Sequence, residues 1–375
     1  MTPDADTPDA DSPRTGTAEP AAQAAGPPAR RRRRWPAVLG TVALGVIAVI
    51  VTAMAIIHVP YVIISPGEAT ALDDDIVTIS GAPTYGHRGD LLYLTVRVTN
   101  DDPNVWRYVL AKLDDEVSVE EREDIIGCAG YEESARLSQD QMVQSQDIAK
   151  QVALQRLGYQ VTESGGQVVI VDVECGGPSE GSLQLADVIT AVDGTPVTKA
   201  DDVRPLVQAH RPGETVHFTV RRDDDTRDIA VRLGRRDGVG FVGIATQTFT
   251  DASFPVDITI DTDRVSGPSA GLAFTLAIID DMTPGDLTGG RRVAITGSIQ
   301  PDGSVGIVGG VEQKAVTARR AGARLMLVPV GEAKAAREHA EGMKVVAVRT
   351  VDAALAALAA NGGDPVPTAG TPTGQ

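Results

Sequence analysis

Aromatic residues are scarce, with two Trp, six Tyr and five Phe in 375 residues. A core must therefore be built from small aliphatic side chains, which suits close packing of helices on a sheet. Cysteine occurs only at Cys128 and Cys175, in no CxxC pair and with no histidine at metal-like spacing, so no metal site is expected. The sequence leaves open whether these two form a disulfide or remain free thiols. Positive charge is also short: 34 Lys and Arg against 51 Asp and Glu give a formal charge of −17. Outside the block Arg30 to Arg34 no basic stripe remains, which argues against a nucleic-acid partner. No G-x-x-x-x-G-K-[ST] phosphate loop occurs, so neither a nucleotide nor a cofactor is expected.

The residues that are present divide the chain into segments. Residues 1–36, rich in Ala, Pro, Asp and Thr and ending in the arginine block, read as a disordered cytoplasmic tail. The uncharged run 37–57 is long enough, at about 1.5 Å per residue, to cross a hydrocarbon core of about 30 Å, and reads as one transmembrane helix. Arginines before it and Trp35 at its start place the N-terminus in the cytoplasm and everything after His58 outside. Ala53-Met54-Ala55 also resembles a signal-peptide cleavage site, but the apolar run continues past it through Ile57. Residues 58–156 read as an extracytoplasmic region packing with the C-terminal domain, with strands at 61–65, 76–80 and 91–98, a turn at Pro66-Gly67, and a helix at 137–157. Residues 157–235 read as a small β-rich unit, residues 240–360 as an α/β domain of alternating short strands and helices, and residues 361–375 as a disordered tail.

Two helices of the α/β domain carry candidate chemistry. The helix after Ser269 is apolar on nearly every face, so it should be buried with its N-terminus opening onto a surface. Unpaired backbone N–H groups there favour developing negative charge, as acyl transfer requires. Taken alone, Ser269 reads first as a helix cap, since Ser is among the favoured cap residues. On the second helix, Val311, Lys314, Ala315, Ala318 and Gly322 share one face, while Glu312, Gln313, Arg319 and Arg320 take the other. A lysine among small apolar residues is desolvated, its pKa falls, and the neutral amine can accept a proton from serine. Gly309 and Gly310 before this helix let backbone pass close to a nucleophile or substrate.

The stretch 181–197, GSLQLADVITAVDGTPV, with the helix and hairpin after it, resembles a PDZ domain, although no GLGF-type loop precedes Val168. Leu157, Gly158 and Tyr159 are the nearest candidates for its peptide-binding loop. The stretches 266–274, SGPSAGLAF, and 293–329 closely resemble the proteolytic domain of Lon proteases. That resemblance implies Ser269 as nucleophile, Lys314 as its base and Thr296 as the residue that orients the lysine amine. Backbone around Gly267, Pro268, Ala270, Gly309 and Gly310 would then hold the oxyanion. The acidic run around Asp261 and Asp263 receives no role. An anchor, a PDZ-like unit and a Lon-type domain together resemble the bacterial PDZ-containing Lon-like proteases. The fold expected is therefore an α/β (α+β) Lon-type domain with a smaller β-rich PDZ-like domain and one transmembrane helix. The resemblance further implies an ATP-independent endopeptidase acting on unfolded or flexible protein segments, assembled as a homo-hexamer. The pentapeptide Gly267 to Gly271 also fits the G-x-S-x-G elbow of esterases, and a catalytically silent PDZ adaptor would share the same anchor.

Overall fold

The computed structural model describes residues 35–73, 75–262 and 265–366. Both terminal tails, up to residue 34 and from residue 367, and the pair Asp263–Arg264 lie outside the described residues. Two compact units result, 1–52 and 53–375. The apolar helix Trp35–Ile56, which begins in the first and ends in the second, is long and apolar enough to cross a membrane.

The second unit is organised by one six-stranded mixed sheet. Its order is Lys344–Val348, Leu325–Pro329, Arg292–Ile295, Asp90–Val98, Tyr61–Ala71, Ser118–Glu121. The first four run parallel, and Tyr61–Ala71 runs antiparallel to both of its neighbours. Half of this sheet comes from residues 61–121 and half from residues 292–348, so the N-terminal region does more than pack against the α/β domain. It completes the same sheet. Pro66-Gly67 does not turn the chain as expected: the strand runs on to Ala71, absorbing the break as a register shift between Pro66 and Ala69.

Strand alternation sends successive side chains to opposite faces, and each face is covered. Leu91, Tyr93, Val293, Ile295, Leu325 and Leu327 pack under the helices Tyr131–Arg156, Gly271–Asp281 and Val351–Ala360. Leu92, Leu94, Ala294, Met326 and Val328 pack under Val311–Arg320 and Ala333–Glu338. Every residue of Gly271–Asp281 is buried, as its apolar composition requires.

Between the two halves of that sheet the chain builds a separate β unit. Its sheet runs Ile244–Ser253, Thr162–Val173, Val188–Val192, Thr215–Arg222, Asp225–Arg232, around a core that includes Val168, Ile170, Phe218 and Val220. Helix Ala200–Gln208 contributes Val203 and Val207 to it. The edge strand Ile244–Ser253 lies beyond the boundary at 235 expected from the sequence. Residues just past the anticipated module complete its sheet because Thr162–Val173 pairs with Val188–Val192 along one edge and with Ile244–Ser253 along the other.

Cys128 and Cys175 form a disulfide with a Cα separation of 5.4 Å. It ties the loop before helix Tyr131–Arg156 to the end of strand Thr162–Val173, fastening the β unit to the sheet domain. Closing a loop of 47 residues restricts the unfolded chain, and its removal is expected to cost about 2–4 kcal/mol. Chemical denaturation of the Cys128→Ser, Cys175→Ser double variant, compared with the parent with and without reductant, checks this. The parent under reductant should match the variant.

Candidate active site

Ser269 and Lys314 reach one cleft from opposite sides of the sheet. The serine helix lies on one face and the lysine helix on the other. They meet beyond the carboxyl ends of the parallel strands, the usual location for a site in such sheets. Thr296 follows directly on strand Arg292–Ile295, and its N–H donates to the Leu327 carbonyl at 3.1 Å. The cleft has a volume of about 750 Å3, and its lining includes Ser269, Ala270, Lys314, Tyr93, Ser138 and Met142.

Ser269 does not stand at the start of the α-helix itself. It sits in a single 3-10 turn, Pro268–Ala270, immediately before Gly271–Asp281. Helix Tyr131–Arg156 clamps this turn. The Ser138 carbonyl accepts from the Gly267 N–H at 2.8 Å, and the Ser145 hydroxyl donates to the Pro268 carbonyl at 3.1 Å. On the other side the Ser269 carbonyl accepts from the Gly297 N–H at 3.0 Å, and the Leu272 N–H donates to the Gly297 carbonyl at 3.0 Å. The turn is thereby fixed between a helix and a strand end before any substrate arrives. Ser138 and Ser145 could not be picked out from the sequence because serines within a polar helix face carry no distinguishing pattern.

Lys314 is 2% exposed and lies on a helix that also buries Val311, Ala315 and Ala318. Burial lowers its pKa from 10.5 to about 8, against the opposing pull of the Glu332 carboxylate. Among the described residues the amine has no hydrogen-bond partner, so its lone pair, when neutral, is free to accept. Glu332 is half-buried, its own pKa is raised by that burial, and it accepts from the Val308 N–H at 3.0 Å, holding the loop ahead of the lysine helix.

Several expectations change. The Thr296 hydroxyl donates to the Ser269 carbonyl at 3.4 Å and does not reach the lysine amine. In this arrangement it braces the serine turn. Gly267 cannot offer its N–H to an oxyanion, since Ser138 already takes it, and Pro268 has none. Gly309 and Gly310 do not line the cleft. Gly310 caps the lysine helix in the left-handed region at φ 64°, a backbone role that favours glycine. Gln313, placed on the solvent side by the face count, is buried and donates to the Ser118 hydroxyl at 2.6 Å.

Leu157, Gly158 and Tyr159 are not a peptide-binding loop. They end helix Tyr131–Arg156: Gly158 takes φ 89°, and the Tyr159 N–H is spent on the Leu154 carbonyl at 2.9 Å. The groove of the β unit lies elsewhere, between helix Ala200–Gln208 and residues 239–246, with a volume of about 550 Å3. There Gly240-Phe241-Val242-Gly243 leads into strand Ile244–Ser253, which pairs on one side only and leaves its other edge toward the groove. The loop follows the domain's other strands in sequence, so no GLGF-type pattern precedes Val168.

No histidine lines the cleft. His87 stands at the far end of the serine helix, 3.5 Å from Asp281 and 3.8 Å from Asp280, whose pKa burial raises to about 6. Strand Asp257–Ile260 ends well before Ser269, so among the described residues no strand runs directly into the serine as an esterase elbow requires.

Residues 155–233 match the PDZ domain family, and residues 236–360 match the Lon protease (S16) C-terminal proteolytic domain. The Lon protease of Ureaplasma parvum is 41% identical over 66 residues, 18% of this chain and 8% of that protein. Lon protease 2 of Bacillus subtilis is 33% identical over 111 residues, 29% of this chain and 18% of that protein. The chain thus spans under a fifth of the length of either relative. The PDZ domain of the SdrC-like protein of Listeria innocua is 21% identical, covering 22% of this chain and 93% of that one, with a TM-score of 0.20. The chain therefore carries a segment similar to PDZ domains followed by one similar to the proteolytic domain of Lon proteases.

Proposed function

We propose that the protein is a membrane-anchored, ATP-independent serine endopeptidase that cleaves unfolded or flexible protein segments outside the cytoplasm. The observation that carries this reading is the buried Lys314 amine, which lines the same cleft as Ser269 and whose pKa burial lowers to about 8. Ser269 attacks a peptide carbonyl while Lys314 takes its hydroxyl proton. Backbone amides of the turn, Ala270 among them, hold the oxyanion. Lys314 returns the proton to the leaving amine, and water, deprotonated by the same lysine, releases the acyl group.

Substrate form is limited by the sheet. Strand Asp90–Val98 pairs with Arg292–Ile295 only through Tyr93, so beyond it one edge stays open, and residues 94–99 line the cleft. An extended segment can add there as a strand, with its carbonyl presented to Ser269. A folded protein offers no such segment, and the chain carries no phosphate loop of an unfolding motor. The PDZ groove, with its open strand edge, suits delivery of a second extended segment.

Location rests on two features. The disulfide belongs to an oxidising compartment, and the arginines ahead of helix Trp35–Ile56 favour a cytoplasmic N-terminus. A homo-hexameric ring is included on the Lon resemblance alone, and the sedimentation mass of the detergent-solubilised chain tests it.

Ser269→Ala and Lys314→Ala should each reduce cleavage of an unstructured protein by about 10³-fold or more. Substituting the five histidines should leave it unchanged. Full activity in both variants would place the cleavage at another site, and no cleavage by the parent would favour the silent PDZ adaptor.

The pH dependence has a definite sign. Neutral amine is the reactive form, so kcat/KM should rise about tenfold per unit below pH 8 and level off above it. For stability, the folded chain binds the lysine proton less tightly than the unfolded chain. The resulting penalty is complete below about pH 8, shrinks as pH rises, and vanishes above 10.5. Lys314→Met should therefore stabilise the fold by about 3 kcal/mol at pH 7 while abolishing cleavage, with the gain fading toward pH 10.5. Denaturant titrations at several pH values check this.

A further inference from the structure

Three large apolar side chains stand in the open on one side of the short helix Val105–Lys112. Trp106 is 49% exposed, Leu110 50%, and Leu113 at the C-cap 77%. At spacings of four and three they occupy one narrow stripe. The opposite side is engaged: Ala111 is buried, and the Tyr108 ring packs on Tyr61 with centroids 4.8 Å apart. Single exposed leucines need no account, whereas an aligned Trp-Leu-Leu stripe does.

What the stripe meets is decided by where its helix is tied. The Val105 N–H donates to the Ile57 carbonyl at 2.9 Å, and the Asn104 side-chain amide donates to the Ala55 carbonyl at 3.2 Å. The Val59 N–H donates to the Pro103 carbonyl at 3.0 Å, and the Asn104 side-chain oxygen caps the helix by accepting from the Arg107 N–H at 2.8 Å. Residues 55 and 57 are the end of the apolar helix Trp35–Ile56 and its continuation. If that helix spans a bilayer, the chain bonded to its last turn lies where acyl chains give way to headgroups. Trp and Leu gain there by entering the acyl boundary. Arg107, which also pairs with Asp101 at 3.3 Å, flanks the stripe and can turn its charged end toward lipid phosphates, while the Lys112 ammonium donates to the Val119 carbonyl at 3.4 Å. The exposed Asp114 and Asp115 come after the helix and stay in water, limiting entry to the stripe itself.

We propose that helix Val105–Lys112 is an interfacial foot, laying Trp106, Leu110 and Leu113 into the lipid surface beside the membrane span. It rests on the reading of Trp35–Ile56 as that span. The partner is a bilayer surface, and the consequence is a second membrane attachment for the catalytic unit beyond its chain connection.

The two tryptophans make the foot and the span separately measurable. The full chain is reconstituted in phosphatidylethanolamine and phosphatidylglycerol vesicles whose acyl chains carry bromine. Trp35→Phe leaves Trp106 as reporter, and Trp106→Phe leaves Trp35. The proposal expects Trp106 emission to fall by about twofold or more with bromolipid and to resist acrylamide, as for an interfacial Trp. Leu110→Asp with Leu113→Asp in the Trp35→Phe background should remove that quenching, with peptide cleavage in detergent unchanged. Quenching of Trp35 but not Trp106 would sink the foot and leave the span standing, and quenching of neither would sink both. Trp106 shielded from acrylamide yet indifferent to bromolipid, in proportion to protein concentration, would show a second copy covering the stripe and overturn the proposal.

Discussion

Everything at the candidate site depends on keeping one ammonium-bearing side chain out of water. Lys314 is 2% exposed on a helix whose other buried side chains are mostly small and apolar, and desolvation dominates over the nearby Glu332 carboxylate. Such a position is unfavourable for a charged lysine and tolerable for a neutral one. The surrounding sheet supplies the rigidity. Strands contributed by residues distant in sequence form the floor, and the lysine helix packs on strands Tyr61–Ala71 and Asp90–Val98. Had the sheet been closed by the 292–348 half alone, the strands beneath this helix would be missing.

The serine side depends on immobilising a turn. A 3-10 turn of three residues has little stability of its own. It is held by Ser138 and Ser145 from the long helix and by Thr296 and Gly297 from the strand end. The two candidate groups, Ser269 and Lys314, therefore come from separately anchored elements on opposite faces of one sheet, and the cleft they share is set by tertiary packing.

That division explains what could be read in the sequence. The reactive pair, the apolar helix and the PDZ-like stretch rest on local signals: a fully apolar run after GPSAG, a lysine on a small-residue face, and a strand-and-turn pattern at 187–194. The sheet partnership of residues 61–121 with 292–348 left no local trace, because pairing between distant strands is fixed by register and packing. Gln313 was misplaced because the helix is covered on a second side by strand Ser118–Glu121, which a face count cannot register. The Leu157-Gly158-Tyr159 assignment failed because glycine at positive φ serves a helix end as readily as a binding loop. The disulfide needed a distance, which only the fold supplies.

The PDZ groove and the reactive cleft are joined by continuous structure. A peptide added to the groove edge at residues 244–246 would lie along strand Ile244–Ser253. Further along that strand, the Thr250 carbonyl accepts from the Gln144 side-chain amide of helix Tyr131–Arg156 at 3.4 Å. One residue on, Ser145 of the same helix donates to the carbonyl of Pro268, next to Ser269. The disulfide at Cys128 anchors the chain just ahead of this helix to the other strand of the pair, Thr162–Val173. A shift of the β unit is therefore opposed at this helix by the Thr250 contact, by the Gln151 side-chain amide on the Glu163 carboxylate and by the disulfide, so the serine turn and the groove share one support.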